Sequence, residues 1–315
     1  MKKLILIAAS LFAASAASAA TVTYNFDTDQ SSSFVVRETG DAGESSVDFS
    51  YDYSTHVQDS GTTVTIPAAP ASLATTLGLR MTTNSGPSAL GLDGISVYPD
   101  VTGLDLSTGV YQITFDVWSN HNGEAGGGSG STQVTNWGAA ADTTLSNSGN
   151  YTAIDGFTYG MTGDGGSSID YRYYQGNPNA PVHATANFNG ANETNQTAAG
   201  WVAFFPNNGT NGTPATGTVL AGASGKQWIS VRLTVSNAGA NRLLEFKRTT
   251  DSDYTVVSSI TGATGAFLRP SFGINDINGG FCTSECGDTF ALFDNIVIDD
   301  APVISSNVQN WLILE

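Results

Sequence analysis

The 315 residues include 40% hydrophobic but only 12% charged side chains, 36 Gly against 3 Met, and a formal net charge of −17. Such Gly-, Ser-, Thr- and Asn-rich sequence favours turns and short strands, which excludes a helical bundle. Nucleic acid is excluded as a partner too, because phosphates are neutralised by Lys and Arg, and only 11 oppose the 28 acidic residues.

The chain opens with Lys2 and Lys3, an apolar run over 4–14 and Ala17-Ser18-Ala19, the form of a secretory signal peptide over 1–20. That run is too short to span a membrane, so export without membrane insertion is expected, to the periplasm, cell surface or medium. Cleavage takes the net charge to about −19 and leaves about 295 residues, room for one large β domain.

Short apolar-alternating runs separated by Gly, Asn, Asp and Pro follow, the pattern of a β-sandwich or barrel. Strands are predicted over 21–26, 46–53, 62–66, 78–83, 109–119, 154–159, 169–174 and 200–205. Further strands are predicted over 227–235, 242–247, 254–260, 267–274 and 290–298. Helix is limited to one short turn in 71–77. Segments 123–131 and 207–217 read as loop insertions, and no repeat divides the chain. One domain over 21–300 and a tail over 301–315 are expected; the tail's apolar Trp311-Leu312-Ile313-Leu314 is too short to cross a membrane. Cys282 and Cys286, the only cysteines, close a small loop that an oxidising compartment would make a disulfide.

Period-two patterning assigns faces to three strands. Ile113, Phe115 and Val117 oppose Asp116, Trp118 and Asn120; Ile229, Val231, Leu233 and Val235 oppose Trp228, Ser230, Arg232 and Thr234. Ile169, Tyr171 and Tyr173 oppose Asp170, Arg172 and Tyr174. A face mixing aromatic rings with planar polar groups suits a sugar, whose apolar side stacks while its hydroxyls hydrogen-bond. Asp116, Trp118, Asn120, Arg172, Tyr174 and Trp228 are the expected ligand residues. The opposing reading is a sheet or loop covering that face, with Asp116 paired to Arg172 or Arg232. Exposed Trp118 and Trp228 would favour a glycan; buried rings would favour packing.

Asn25-Phe26-Asp27, Gly78-Leu79-Arg80, Tyr111-Gln112-Ile113-Thr114-Phe115-Asp116-Val117-Trp118, Trp228-Ile229-Ser230-Val231 and Leu292-Phe293-Asp294-Asn295-Ile296-Val297-Ile298 carry a family likeness. The chain resembles exported bacterial proteins with a concanavalin A-like, laminin G-like jelly-roll β-sandwich, many of them uncharacterised surface or matrix components. The resemblance implies an all-β fold of two antiparallel sheets. It also implies a structural Ca²⁺ shared by Asp27, near the first strand, and Asp294, in the last, with 275–280 a second Asx-rich candidate. Lectins, carbohydrate-binding modules, glycoside hydrolases and polysaccharide lyases share this fold, so fold does not choose the function.

The carboxylate patterns Glu-x-Asp-x-x-Glu and Glu-x-Asp-x-Glu of the hydrolases are absent, and only 7 of the 28 acidic residues are Glu. The Gln-x-His motif of the lyases is absent too, although His121, Arg172 and Tyr174, with Gln175, offer an alternative catalytic set. No Gly-x-Ser-x-Gly elbow accompanies His56, His121 or His183. Gly222-Ala223-Ser224-Gly225-Lys226 lacks the spacing of a phosphate loop. The expectation is therefore a secreted glycan-binding or extracellular matrix protein without catalysis, with polysaccharide or cell-surface glycan as partner. A lyase or hydrolase on the same face, and a purely structural surface protein, are the alternatives.

Overall fold

A computed structural model describes residues 20–40, 43–59, 61, 63–72, 75–85, 93–107, 109–121, 133–140, 156–163, 170–177, 180–183, 195–206, 220–236, 240–262, 268–276 and 286–302. The expected signal segment 1–19 and tail 303–315 lie outside them. So does Cys282, and with it the expected disulfide to Cys286.

Seventeen strands are described: β1 (Thr21–Tyr24), β2 (Phe34–Thr39), β3 (Ser46–Asp52), β4 (His56–Val57), β5 (Thr63–Val64), β6 (Leu77–Thr82), β7 (Gly94–Pro99), β8 (Val110–Asn120) and β9 (Gln133–Ala140). After them come β10 (Gly156–Met161), β11 (Tyr171–Asn177), β12 (Ala180–His183), helix α1 (Ala199–Phe204), β13 (Trp228–Ser236), β14 (Asn241–Arg248), β15 (Thr255–Ile260), β16 (Arg269–Asp276) and β17 (Phe290–Asp299). One sheet runs β15-β14-β13-β8-β17-β6-β3, with β1 also on β17; the other runs β12-β11-β10-β9-β16-β7-β2. All pairings are antiparallel. The fold is the all-β sandwich of two antiparallel sheets expected from the sequence. Among the described residues no helix is long and apolar enough to cross a membrane.

The predicted inward residues meet between the sheets. Ile113, Phe115 and Val117 of β8 and Ile229, Val231, Leu233 and Val235 of β13 join Trp137, Phe157, Tyr159 and Phe272 from the facing sheet in one core. Phe115 lies edge-on to Trp137 at 5.6 Å and to Phe272 at 5.1 Å, and Phe272 to Phe293 at 5.3 Å. Each such side chain withdrawn from water stabilises the fold by about 1.5–3 kcal/mol.

Two differences from the sequence expectation have clear physical causes. The predicted strand 200–205 is instead helix through Phe204, with Phe205 as its cap: Trp201, Phe204 and Phe205 recur at i, i+3 and i+4, a helical spacing. The Trp201 ring stacks on Tyr171 of β11 at 3.5 Å, and that tertiary contact holds a helix of only six residues. Strands β7 and β9 escape period-two reading because almost every residue in them is buried, so inside and outside do not alternate. In 71–77, Ala71 completes a turn and β6 begins at Leu77.

Candidate functional site

The outer face of the first sheet carries Asp116, Trp118 and Asn120 of β8 beside Trp228 of β13, in register at Trp228↔Trp118. Arg172 and Tyr174 are not there. They belong to β11, between β10 and β12 in the other sheet, where Arg172 Nη1 donates to the Tyr174 hydroxyl at 3.1 Å. The six expected ligand residues are thus split between two sheets. His121 follows β8 of the first sheet, whereas Arg172 and Tyr174 lie on β11 of the second. Burial raises the pKa of the Tyr174 phenol, the opposite of what a catalytic base needs.

The expected open aromatic face is also corrected. A strap formed by residues 53–59 and 63–72 lies over it, and Trp118 and Trp228 are 1% and 2% exposed. The two indoles, 5.8 Å apart, pack with Tyr53, Ile66, Ala69, Phe290 and Leu292 in a second apolar cluster. Trp228 Nε1 donates to the Pro67 carbonyl at 2.7 Å, and Trp118 Nε1 to Asn120 Oδ1 at 3.2 Å. By the criterion set from the sequence, this face serves packing.

Beneath the strap, Asp294 of β17 stands opposite Asp116 of β8. Asp116 accepts from Ser230 Oγ at 2.5 Å, Ala71 N at 3.1 Å and Asn295 Nδ2 at 3.0 Å. Asp294 accepts from the Tyr53 hydroxyl at 3.1 Å, Ser72 Oγ at 2.7 Å and Asn295 N at 2.7 Å. The ladder shifts register between Asp294 and Val297, and Asn295 takes φ 54°. That bulge turns two successive side chains, Asp294 and Asn295, toward the strap. Desolvation raises both carboxyl pKa values, Asp294 to about 6. Asp116 pairs with neither Arg172 nor Arg232; the Arg232 guanidinium holds Glu245 at 2.6 Å.

A calcium ion shared by Asp27 and Asp294 does not fit this arrangement. Asp27 is exposed and accepts from Asn25 Nδ2 at 2.6 Å, whereas Asp294 is buried among strap hydroxyls and Asp116. In the Asx-rich candidate, Asp276 accepts from Asn84 Nδ2; residues 277–280 lie outside the described ones. Among the described residues no three His, Cys, Asp or Glu gather to hold a metal.

A polar network pins the other end of the strap. His56 Nε2 lies 3.0 Å from Asp288 Oδ1, and His56 Nδ1 is hydrogen-bonded to the Tyr51 hydroxyl at 2.7 Å. Asn120 Nδ2 donates to Asp288 O at 2.5 Å, and Asp59 Oδ2 accepts from Gly287 N at 2.8 Å.

Beside Pro67 of the strap, a cavity of about 320 Å³ opens. Pro67 of the strap, Trp118, Phe205 and Pro206 after α1, Lys226, Gln227 and Trp228 at the start of β13, and Arg248 to Thr250 at the end of β14 line it. The turn before β13 is tightly built. Lys226 sits at φ 56° with its N–H on Ser119 O at 2.9 Å, and Gly225 donates to Gly163 O at 2.9 Å. A Cβ on Gly225 would come within 2.2 Å of that same oxygen, so only glycine fits. Arg248 donates through Nε and Nη2 to Asp251 at 2.6–3.1 Å and through Nη1 to Phe204 O at 2.5 Å. Lys226, Gln227 and Arg248 were not singled out from sequence; the one signal near them was the turn 222–226, set aside as a phosphate loop.

No family model and no curated protein matches the sequence. Solved structures are similar in strand arrangement. The VIP36 exoplasmic/lumenal domain in its Ca²⁺/Man2-bound form is 6% identical, with 92% of this chain and 91% of that chain covered and a TM-score of 0.44. Lectin I-B4 from Griffonia simplicifolia in metal-free form is 9% identical, with 89% and 98% covered and a TM-score of 0.38. A GH131 beta-glucanase catalytic domain from Podospora anserina is 12% identical, with 81% and 88% covered and a TM-score of 0.39.

Proposed function

We propose that this chain is an exported, non-catalytic carbohydrate-binding protein that seats its ligand in the cavity bordered by Trp118, Trp228 and Phe205. The observation that carries the reading is the lining itself: the exposed Pro67 and Pro206, backed by the buried rings of Trp118, Trp228 and Phe205, beside Gln227, Arg248 and the exposed Thr249 and Thr250. A sugar presents an apolar face and a rim of hydroxyls, and this wall offers a counterpart to each. The volume lies at the lower end of the usual ~300–1,000 Å³ for ligand pockets, so a short stretch of glycan is the natural occupant. The environment of Asp116 and Asp294 speaks against hydrolysis, because the strap covers both carboxylates and engages them with its own donors.

A glycan array read with the wild-type chain and a Thr249→Trp variant tests this. Thr249 is an exposed wall residue, so the added ring fills the cavity without disturbing the core. Binding that the substitution abolishes at unchanged melting temperature supports the proposal; binding that survives it overturns the site. Release of unsaturated products or new reducing ends from the bound polysaccharide would replace the non-catalytic reading with lyase or hydrolase.

Burial of Trp118 and Trp228 in the second apolar cluster favours one other reading, a structural surface component whose rings only pack. An array with no bound glycan would select it.

A further inference from the structure

We infer that the peptide bond between Ala19 and Ala20 is the processing site of this chain, and that the α-ammonium group released there forms an ion pair with Asp300; this rests on the export reading above. The sequence alone leaves two bonds open. Small side chains stand at the third and first places before the cut in Ala17-Ser18-Ala19 and equally in Ser18-Ala19-Ala20. The first register begins the mature chain at Ala20, the second at Thr21.

The fold makes use of Ala20. Its nitrogen donates to Asp300 Oδ1 at 2.7 Å and its carbonyl accepts from Asp300 N at 3.2 Å, which carries the Thr21↔Asp299 pairing of β1 and β17 one step further. A cut after Ala20 would discard both bonds. A cut after Ala19 keeps them and changes the donor. In the uncut chain that nitrogen is a neutral amide with one hydrogen. Hydrolysis breaks the C–N bond between Ala19 and Ala20: the water oxygen goes to the Ala19 carbonyl carbon and its two hydrogens, as protons, to the Ala20 nitrogen, leaving a carboxylate and an ammonium. The peptidase of the export route catalyses the step, and water is the only other reactant.

Asp300 is placed to receive that charge. Its other oxygen, Oδ2, accepts from Asp105 N at 3.0 Å, which fixes the carboxylate, and among the described residues no Lys, Arg or His forms an ion pair with it. The residue before it is Asp299, whose own carboxylate accepts from Ala301 N at 2.9 Å. A positive donor therefore meets an anion of fixed position that has no other cation, and such a charge-assisted bond is about twice as strong as a neutral one. Strand β1 gains most from it. It is four residues long and, among the described strands, pairs with β17 alone, so cleavage gives a short edge strand a charged anchor at its first residue.

Expressing the full chain in a bacterial host and sequencing the exported product from its N-terminus tests the cut, with Ala20 expected first. A product that starts at Thr21 or at any other residue overturns the inference and leaves the export reading in place; a chain that stays uncut inside the cell overturns both. The ion pair is tested on the exported product with an acylating reagent selective for α-amines. Asp300→Asn is expected to be labelled about two- to fivefold faster than wild type, since pairs near the surface hold their members weakly. Raising the salt should speed labelling of the wild type toward that of the variant and leave the variant unchanged, because screening loosens an ionic contact and not a neutral one. Equal rates in the two proteins, or a difference that salt does not alter, overturn the pair and with it the inference.

Discussion

Asp116 and Asp294 oppose each other across the β8–β17 ladder, and the strap supplies a hydrogen bond to each, from Ala71 N and Ser72 Oγ respectively. Two buried carboxylates therefore form the floor on which a covering segment is fastened. Their protonation and their partners decide how firmly it holds.

Stability should depend on pH through this pair. Burial, with a smaller contribution from the Asp116 charge, pushes the Asp294 pKa up to about 6, against the opposing pull of its three hydrogen bonds. The unfolded chain loses the proton near pH 3.9. Between those values the native state binds more protons than the unfolded state, so stability falls as pH rises through that window. The charged form costs on the order of 3 kcal/mol at neutral pH. Asp294→Asn, which mimics the protonated form, should flatten the fall in melting temperature between about pH 4 and pH 7. An unchanged slope would show that the strap floor does not titrate there.

The bulge makes a prediction whose sign depends on the backbone. Asn295 at φ 54° donates from Nδ2 to Ser72 Oγ at 2.9 Å and to Asp116 Oδ2 at 3.0 Å. Asn295→Gly loses these bonds but keeps the conformation, whereas Asn295→Ala loses them and adds roughly 1–2 kcal/mol of left-handed strain. Thermal melts should rank wild type above Gly and Gly above Ala. Equal melting temperatures for Gly and Ala would mean that the bulge opens in the variants.

At the other end of the strap, Asp288→Ala removes the buried partner of His56 and the acceptor for Asp59 N. Leaving buried hydrogen-bonding groups without their carboxylate partner typically costs about 1–3 kcal/mol. The expected signature is a lower melting temperature together with earlier proteolytic cutting within 53–59. A full-sized loss with no change in cutting would place the damage elsewhere.

Trp228→Ala should destabilise by about 3–5 kcal/mol, because it empties a packed site and orphans the Pro67 carbonyl. Trp228→Phe should retain most of the packing and lose only the hydrogen bond, a cost of about 1 kcal/mol. Denaturant midpoints measured on the two variants check the ranking. Near-equal stability of both with wild type would mean that the ring is not packed as described.

The core was the most legible part of the sequence, since it rests on strict alternation. Ile113, Phe115 and Val117 announce their common face, and the facing sheet then buries it. Alternation puts Trp118 and Trp228 on the outward faces of their strands, but neither the pairing that sets them opposite each other nor their exposure was readable. Whether an outer face meets water depends on the strap, which joins it through backbone and hydroxyl donors from Ala71, Ser72 and Tyr53 that carry no periodic signal. The position of Arg172 failed for a related reason. Alternation assigns a residue to a side of its strand, but the sheet that strand joins depends on long-range pairing. Lys226 and Arg248 were silent as wall residues because a wall drawn from five separate segments has no contiguous motif.

One consequence of the topology concerns the order in which the chain is made. The last strand, β17, does not finish an edge; it lies between β8 on one side and β6 and β1 on the other. Ala20 N, at the opposite end of the described chain, donates to Asp300 Oδ1 at 2.7 Å. The first sheet therefore lacks its middle until residues 290–299 have been synthesised, and its halves have no ladder to join them. A polypeptide built this way stays open until nearly all of it exists, so its pairing is long-range and late.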